Sequence, residues 1–400
     1  MNADAACQDV VGRYLSERTA LGLAPNGLGT SSSCKARQRL PLALIQDCVA
    51  EVATIAARAL PPAARWRGRE IKLIDGTGVS MPDTPSLQAA FPQSRSQAPG
   101  VGFPHALIVG VISLGSGCVT DWTMTAAQGK RNGECSQLWN LRDHFAPGEV
   151  VIADRAYCSY FLLAALSLRG IDFVMREHGA RKNASAYSEV LGSNDRLLVW
   201  SRPTRPSWMS QATYDAVPEA MCVREVRDGE RLIVTSLRDP SEVCADEVAW
   251  LYTQRWHIEL DFRSIKCVME MDVLRCKSPD MVRKEVAAHL LAYNLIRVAM
   301  GEAARPEGLD LRQLSFAAAR RAAAMYQSNV RNNATAKHCA AARFLMLQQI
   351  SYWRIPDRPG RIEPRAVKRR PKPRALLNEP RQRARDRIVK QQTTLRAAVA

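Results

Sequence analysis

The most regular pattern of apolar and polar positions in this chain lies in Leu251–Lys266, reading LYTQRWHIELDFRSIK. On an α-helix turning about 100° per residue, Tyr252, Arg255, Glu259 and Lys266 fall in one polar stripe about 60° wide. Trp250, Leu251, Ile258, Phe262, Ile265, Val268 and Met269 fall on a separate apolar face. The pattern predicts one continuous helix, packed on one side and presenting an acid with three polar partners on the other. An ordinary surface helix with i,i+3 and i,i+4 charge pairs has the same look, so the stripe alone assigns no chemistry.

Upstream, the periodicity changes to that of strands. Glu70–Met81 is an apolar run with Asp75 in its midst. Acids are depleted in strands, and a buried unpaired carboxylate is costly; taken alone, Asp75 reads equally as an acid opening a turn at Gly76. Ala106–Leu114 and Cys118–Thr125, split by Gly115-Ser-Gly117, predict a hairpin. Asn132–Phe145 predicts a helix. Glu149–Ala153 is a short continuous apolar run, as expected of a strand buried on both faces, and it delivers Asp154, Arg155 and Tyr157 at its C-terminal end. Tyr160–Leu168 predicts a helix and Ile171–Arg176 another strand. This order is that of an α/β fold, a ribonuclease-H-like mixed sheet whose first three strands are antiparallel. In such a sheet the first and fourth strands are neighbours, which brings Asp75 and Asp154 together.

The alternation then breaks. Leu197–Trp200, Ala220–Arg227 and Arg231–Ser236 predict a β-rich insertion that also carries Trp208, Arg202 and Arg205. Ser278-Pro279-Asp280 predicts a capped helix start, with an apolar helix running through Met300. Ser31–Cys34 reads as a loop, Lys35–Leu60 as one helical region closed by Pro61-Pro62, and Leu309–Leu347 as Ala-rich helix. The resulting organisation is a helical N-terminal region (1–69), a first core segment (70–176), the insertion (177–238), a second core segment with the polar-striped helix (239–300), a C-terminal helical region (301–353) and a basic tail (354–400).

Composition narrows the function. With 46% apolar residues in 400, the chain can bury a sizeable core. The net charge of +17 is concentrated at the end, where Arg354–Ala400 holds 15 Lys and Arg against 4 Asp and Glu. Such a tail, with Arg361–Arg374 read as extended, points to a polyanion, most often nucleic acid. Met1–Arg13 lacks the apolar core of a signal peptide, and Ala106–Val119 is too short and Gly-broken to span a bilayer. Eleven cysteines without a CxxC pair predict reduced thiols and no structural zinc. The expected setting is the cytoplasm, with no membrane partner.

Three acids stand out: Asp75, Asp154 and Glu259. Carboxylate oxygens suit Mg²⁺. Two such ions about 3.5–4 Å apart stabilise the attacking and leaving oxygens of a displacement at phosphorus. Arg255 and Lys266 are suited to clamp phosphate, one as a fork and one as a point charge. Tyr252 suits a phosphate hydrogen bond or a displaced base. No Gly-rich P-loop competes with this set.

The ordered set resembles the insertion-sequence-4 family of DDE transposases, whose catalytic helix carries Tyr, two residues, Arg, three residues, Glu, six residues, Lys. Tyr252, Arg255, Glu259 and Lys266 match all four positions. Leu-Ile-Asp75-Gly-Thr77 and Asp154-Arg155-Ala156-Tyr157 resemble the segments around the family's first and second acids. Ala36–Pro41, Met271–Lys277, Leu291–Leu295 and the basic tail are family-like too. The resemblance implies metal ligation by Asp75, Asp154 and Glu259 to two Mg²⁺ ions, with Mn²⁺ as an expected substitute. It implies DNA contacts from Tyr252, Arg255, Lys266, Trp256 and Arg155, Trp256 reading equally as a core aromatic. It further implies cutting at transposon ends and attack of the freed 3′-OH on target DNA, with the insertion helping to hold a hairpin intermediate and a homodimer in the synaptic complex. Residues 1–33 depart from the family's longer DNA-binding region, so the start reads as truncated, with weakened end recognition. A nuclease or resolvase on the same fold, without strand transfer, would use the same acids, and a basic DNA-binding protein would hold them as structural residues.

Overall fold

Ile71, Leu73 and Ile74 before Asp75, and Thr77 and Val79 after it, carry Ile71–Ser80 (β1) through as a ten-residue strand rather than one ending at Asp75. In the computed structural model, which describes residues 7–24, 27, 29–177, 188–332, 335–356 and 379–399, β1 is central to a sheet. The other strands are His105–Ser113 (β2), Val119–Ala126 (β3), Val150–Ala153 (β4), Asp172–Arg176 (β5), Ser188–Gly192 (β6), Asp195–Ser201 (β7), Ala220–Asp228 (β8) and Arg231–Thr235 (β9). All nine form one sheet, in the order β3-β2-β1-β4-β5-β9-β8-β7-β6. The first three strands are antiparallel, and β4 and β5 run parallel to β1. This is the ribonuclease-H-like mixed sheet that the strand order predicts. The two parallel crossovers use the helices Glu134–Leu141 and Tyr160–Leu168. The insertion is no separate sheet: β9 pairs antiparallel with β5 and continues it.

The sheet is covered on both faces. Ile71, Leu73 and Val79 of β1 pack toward the helices Ala245–Thr253, Trp256–Arg263 and Pro279–Ala304. Ile74, between them, packs on the other face with Leu138, Tyr157 and Leu162. Period-2 alternation therefore points Asp75 at the first group of helices. Inside the insertion, Arg224 is fully buried, paired with Asp195, and donates to the carbonyls of Leu237 and Val243. That clamp fixes the segment leading into Ala245–Thr253.

Several local expectations are corrected. Ser31–Cys34 begins a helix, Ser31–Arg39, and a second one, Leu42–Arg58, follows Pro41. Proline pushes Leu40 out of helical geometry (φ −62°, ψ 119°), so the region cannot be one helix. Serine is only mildly unfavourable in a helix, and Arg37 and Arg39 complement the last-turn dipole. Ser278 stands at the N-cap of Pro279–Ala304, but its side chain makes no capping hydrogen bond. The Arg361–Arg374 segment lies outside the described residues. No single helix among the described residues is long and apolar enough to cross a membrane; the bent pair Ser31–Arg39 and Leu42–Arg58 passes by length and composition only.

Candidate active site

The striped stretch is not one uniform helix. Ala245–Thr253 ends before Gln254, and Trp256–Arg263 follows and runs into a widened π-turn over Ser264–Val268. At the joint, the amides of Gln254, Arg255, His257 and Ile258 bond three residues back rather than four. A three-residue repeat turns each residue about 120°, and a π-turn less than 100°, so a fixed-angle wheel drifts across both. Trp250 accordingly stands half exposed (50%) instead of on the packed face, and Trp256 is 57% exposed, which decides against a core role for its ring. Leu251, Ile258, Phe262, Ile265 and Met269 are buried as expected.

Despite the joint, the polar residues converge on the acids. Asp75 sits mid-strand in β1, opposite Gly110 of β2, so the turn reading is excluded. Gly110 matters because a Cβ there would lie 3.2 Å from Phe262 Cζ; its absence lets the helix bearing Glu259 approach the sheet. Beyond Ile74, β1 has no partner on the β4 side, since β4 ends at Ala153, and Asp154 follows at that open edge. Arg255 bridges two of the acids, with Nη1 3.3 Å from Asp75 Oδ2 and Nη2 2.6 Å from Glu259 Oε1. The Tyr252 hydroxyl is 3.5 Å from Asp154 Oδ1. Arg155 is exposed on the short 3₁₀ turn after Asp154. Lys266, in the π-turn, lies farther along β1, toward His105, whose pKa is lowered by burial and by the Lys266 charge. Among the predicted residues, Tyr252, Arg255 and the three acids are thus gathered, whereas Lys266, Trp256 and Arg155 lie around them.

The electrostatics are those of negative charge short of counter-charge. Burial raises the Asp75 carboxyl, the Gly76 amide (2.8 Å) and Arg255 oppose it, and Asp154 and Glu259 push it up further. Burial disfavours the Arg255 charge, but its bond to Glu259 and the nearby Tyr252 and Asp75 more than offset that, so its pKa is raised. Burial and Asp154 likewise raise Tyr252. An all-oxygen carboxylate set suits a hard divalent cation. Among the described residues no three His, Cys, Asp or Glu side chains are gathered closely enough to hold one, and Arg255 stands between Asp75 and Glu259, bonded to both.

Sequence patterns missed two residues here. Glu134, the first residue of Glu134–Leu141, lies inside the Asn132–Phe145 stretch, where the pattern did not single it out. Asp261 is fully buried, bonded by Arg297 and by Arg312 (2.8 Å). A signal for it existed: it is an acid amid Ile258, Phe262 and Ile265. Asn294, in the Leu291–Leu295 segment, also has a structural task, bonding both the amide and the carbonyl of Val119 (2.8 Å each) where β3 begins.

Residues 66–295 match the family described as the transposase DDE domain. The transposase InsG of insertion sequence element IS4, from Escherichia coli strain K12, is 32% identical over 300 residues, 72% of this chain. The matched region spans 64% of that relative's length, just under two thirds. The transposase of insertion sequence element IS421 from Escherichia coli is 41% identical over 68 residues, 17% of this chain and 18% of that protein. Among solved structures, a piggyBac transposase synaptic complex with hairpin DNA aligns over 90% of this chain and 74% of its own, at 10% identity and a TM-score of 0.41. With the strand order, the matched domain and the IS4 relative in agreement, the chain belongs to the DDE transposases, in the insertion-sequence-4 family.

Proposed function

We propose that this chain is the transposase of an insertion sequence, cutting DNA at the ends of its element and joining the freed 3′-OH to target DNA. The observation that supports the reading is that Arg255 bridges Asp75 and Glu259 while the Tyr252 hydroxyl reaches Asp154 at the open edge of β1. In this reading Asp75, Asp154 and Glu259 hold two Mg²⁺ ions, or Mn²⁺ in their place. The bound ions would supply Lewis-acid stabilisation of the attacking and leaving oxygens.

The protein's own groups do the rest. Arg255, bonded to Asp75 and Glu259, would offer its guanidinium fork to a DNA phosphate. Tyr252 keeps Asp154 oriented and faces the backbone of the cut strand. Lys266 and Arg155 hold flanking phosphates, and the exposed ring of Trp256 provides a stacking surface for an unpaired base. The insertion, held internally by the Arg224–Asp195 pair, extends the sheet beyond β5. A homodimer on two element ends, acting at the nucleoid, completes the proposal.

The test is a cleavage and joining assay on DNA carrying the element's end, with Mg²⁺. The wild type is expected to nick and then join. Glu259→Gln is expected to lose both steps while still binding DNA. Cleavage without joining would favour a nuclease on this fold, and unchanged reaction in Glu259→Gln would make the acids structural.

A further inference from the structure

Two loops at the C-terminal end of β1 carry charge that the proposed reaction does not use. Residues 92–103 lead into β2, and residues 127–133 join β3 to the helix Glu134–Leu141. Between them they hold Arg95, Lys130 and Arg131 and no acid. All three cations are exposed. The loops meet where Gln128 Nε2 donates to the Gln93 carbonyl (2.6 Å) and the Ala127 amide to the His105 carbonyl (3.2 Å). At that meeting is a cleft of about 340 Å³ lined by Ser94, Arg95, Ser96, Gln128 and Gly129.

Both walls are fixed by side-chain amides. Gln93 Oε1 accepts from the amides of Gly100 (2.9 Å) and Gly102 (3.1 Å), and its Nε2 donates to the carbonyls of Gln97 (3.3 Å) and Ala98 (2.8 Å). Opposite, Asn132 donates to the Gln128 carbonyl (2.7 Å), and the buried Gln137 donates to the Arg131 carbonyl (3.0 Å). Arg131 stands at φ 68°, a left-handed conformation that a residue with a Cβ adopts rarely. Such backbone persists where the surroundings impose it, and it gathers at ligand clamps. Glycine would take this φ freely, so arginine here supplies charge at the expense of backbone ease. Glu134, the next acid along, is turned away against β1, where a Cβ on Gly76 would stand 2.3 Å from its Oε1.

The basic tail arrives at the same loops. A Cβ on Gly100 would lie 3.4 Å from Pro380 Cβ, and Arg381 sits over the Phe103 ring (5.0 Å) and pairs with Asp83 (3.4 Å). These contacts seat the helix Arg381–Val399, with Arg383 and Arg385 exposed on it, against residues 92–103. An acid-free cleft ringed by cations suits a polyanion with regularly spaced phosphates.

We propose that this cleft binds the phosphate backbone of duplex DNA beyond the cut, through Arg95, Lys130 and Arg131, with Arg383 and Arg385 extending the track. The inference rests on the DNA-cutting reading above and adds a surface to it. That surface lies beyond Asp75 along β1, since Gly76 touches Glu134 and His105 pairs with Ser80.

The experiment follows binding of the full chain to fluorescent duplexes by anisotropy across a salt series, one duplex carrying the element's end and one unrelated. Arg95→Ala, Lys130→Ala and Arg131→Ala together are compared with wild type, with melting as the check on folding. Each lost phosphate contact removes about 0.9 from the salt slope, so the triple variant is expected to lose roughly two to three. It should bind both duplexes roughly 10- to 100-fold more weakly at moderate salt, and equally so, because phosphates carry no sequence. Arg131→Gly separates charge from backbone: it should melt no lower than wild type and still lose about one from the slope. With saturating protein, slowed cutting would mark the occupant as the element's own duplex and slowed joining alone as the target's, both in agreement with the proposal. Wild-type slope and affinity in the folded triple variant would overturn the surface, as would tighter binding or a loss confined to the element's end. A wild type that binds duplex yet neither cuts nor joins would overturn the transposase reading and leave this surface standing.

Discussion

The segment carrying Glu259 is held in place by Asp261, two residues on, and the strength of that anchor can be predicted. Asp261 has no exposed surface and accepts hydrogen bonds from Arg297 and, on both oxygens, from Arg312 (2.8 Å each). Arg297 also donates to the Tyr293 hydroxyl (2.8 Å), and Arg312 to the Leu114 carbonyl (3.3 and 3.2 Å). Replacing Asp261 by Asn keeps the shape and some of these bonds but leaves two largely buried guanidinium groups without counter-charge. Breaking a buried pair this way costs about 3–5 kcal/mol. Urea unfolding, followed by tryptophan fluorescence, should show the loss as a lower midpoint with little change in slope. Replacing all three charges together by apolar groups (Asp261→Leu, Arg297→Met, Arg312→Met) should recover most of the loss, because no charge is then stranded. A cost below about 1 kcal/mol for Asp261→Asn would refute the anchoring argument, since the buried charges would have to be satisfied elsewhere.

Other outcomes follow from the acid cluster and its surroundings. The raised Asp75 carboxyl binds its proton more tightly folded than unfolded, so ionising it costs stability as pH climbs from the ordinary carboxylate value of about 3.9 through the raised one. Metal-free Asp75→Asn should therefore melt higher than wild type at pH 7, with the gain vanishing below that window; a lower melting temperature at pH 7 would contradict it. Gly110→Val should force Phe262 off β2, lowering stability and displacing Glu259; an unchanged melting temperature and full cleavage activity would show that the close approach is not required. Lys266→Ala should weaken DNA binding uniformly across sequences and reduce the salt-dependence slope by about one, measured by fluorescence anisotropy between low and moderate salt. An unchanged slope would remove Lys266 from the phosphate contacts.

The sequence by itself determined the strand order, the position of Asp154 at a strand's C-terminal end and the family. Period-2 alternation, glycine turns and spaced motifs are local signals, and a β-strand exposes them within eight or ten residues. It also determined which polar residues line the Leu251–Lys266 stretch. What it could not determine is how that stretch meets the sheet. The i→i+3 joint at Arg255, the π-turn at Ser264–Val268 and the exposure of Trp250 arise from fitting the chain against β1 and β2, a fit permitted by Gly110. The insertion's continuation of the sheet depends on β5 finding β9, a pairing across some 60 residues that no window of sequence reveals. Asp261 belongs to the same class: an acid among apolar neighbours signals a buried partner, but only the folded chain brings Arg297 and Arg312 to it. Coulombic and desolvation energies depend on distance in space rather than along the chain, and so they wait for the tertiary structure.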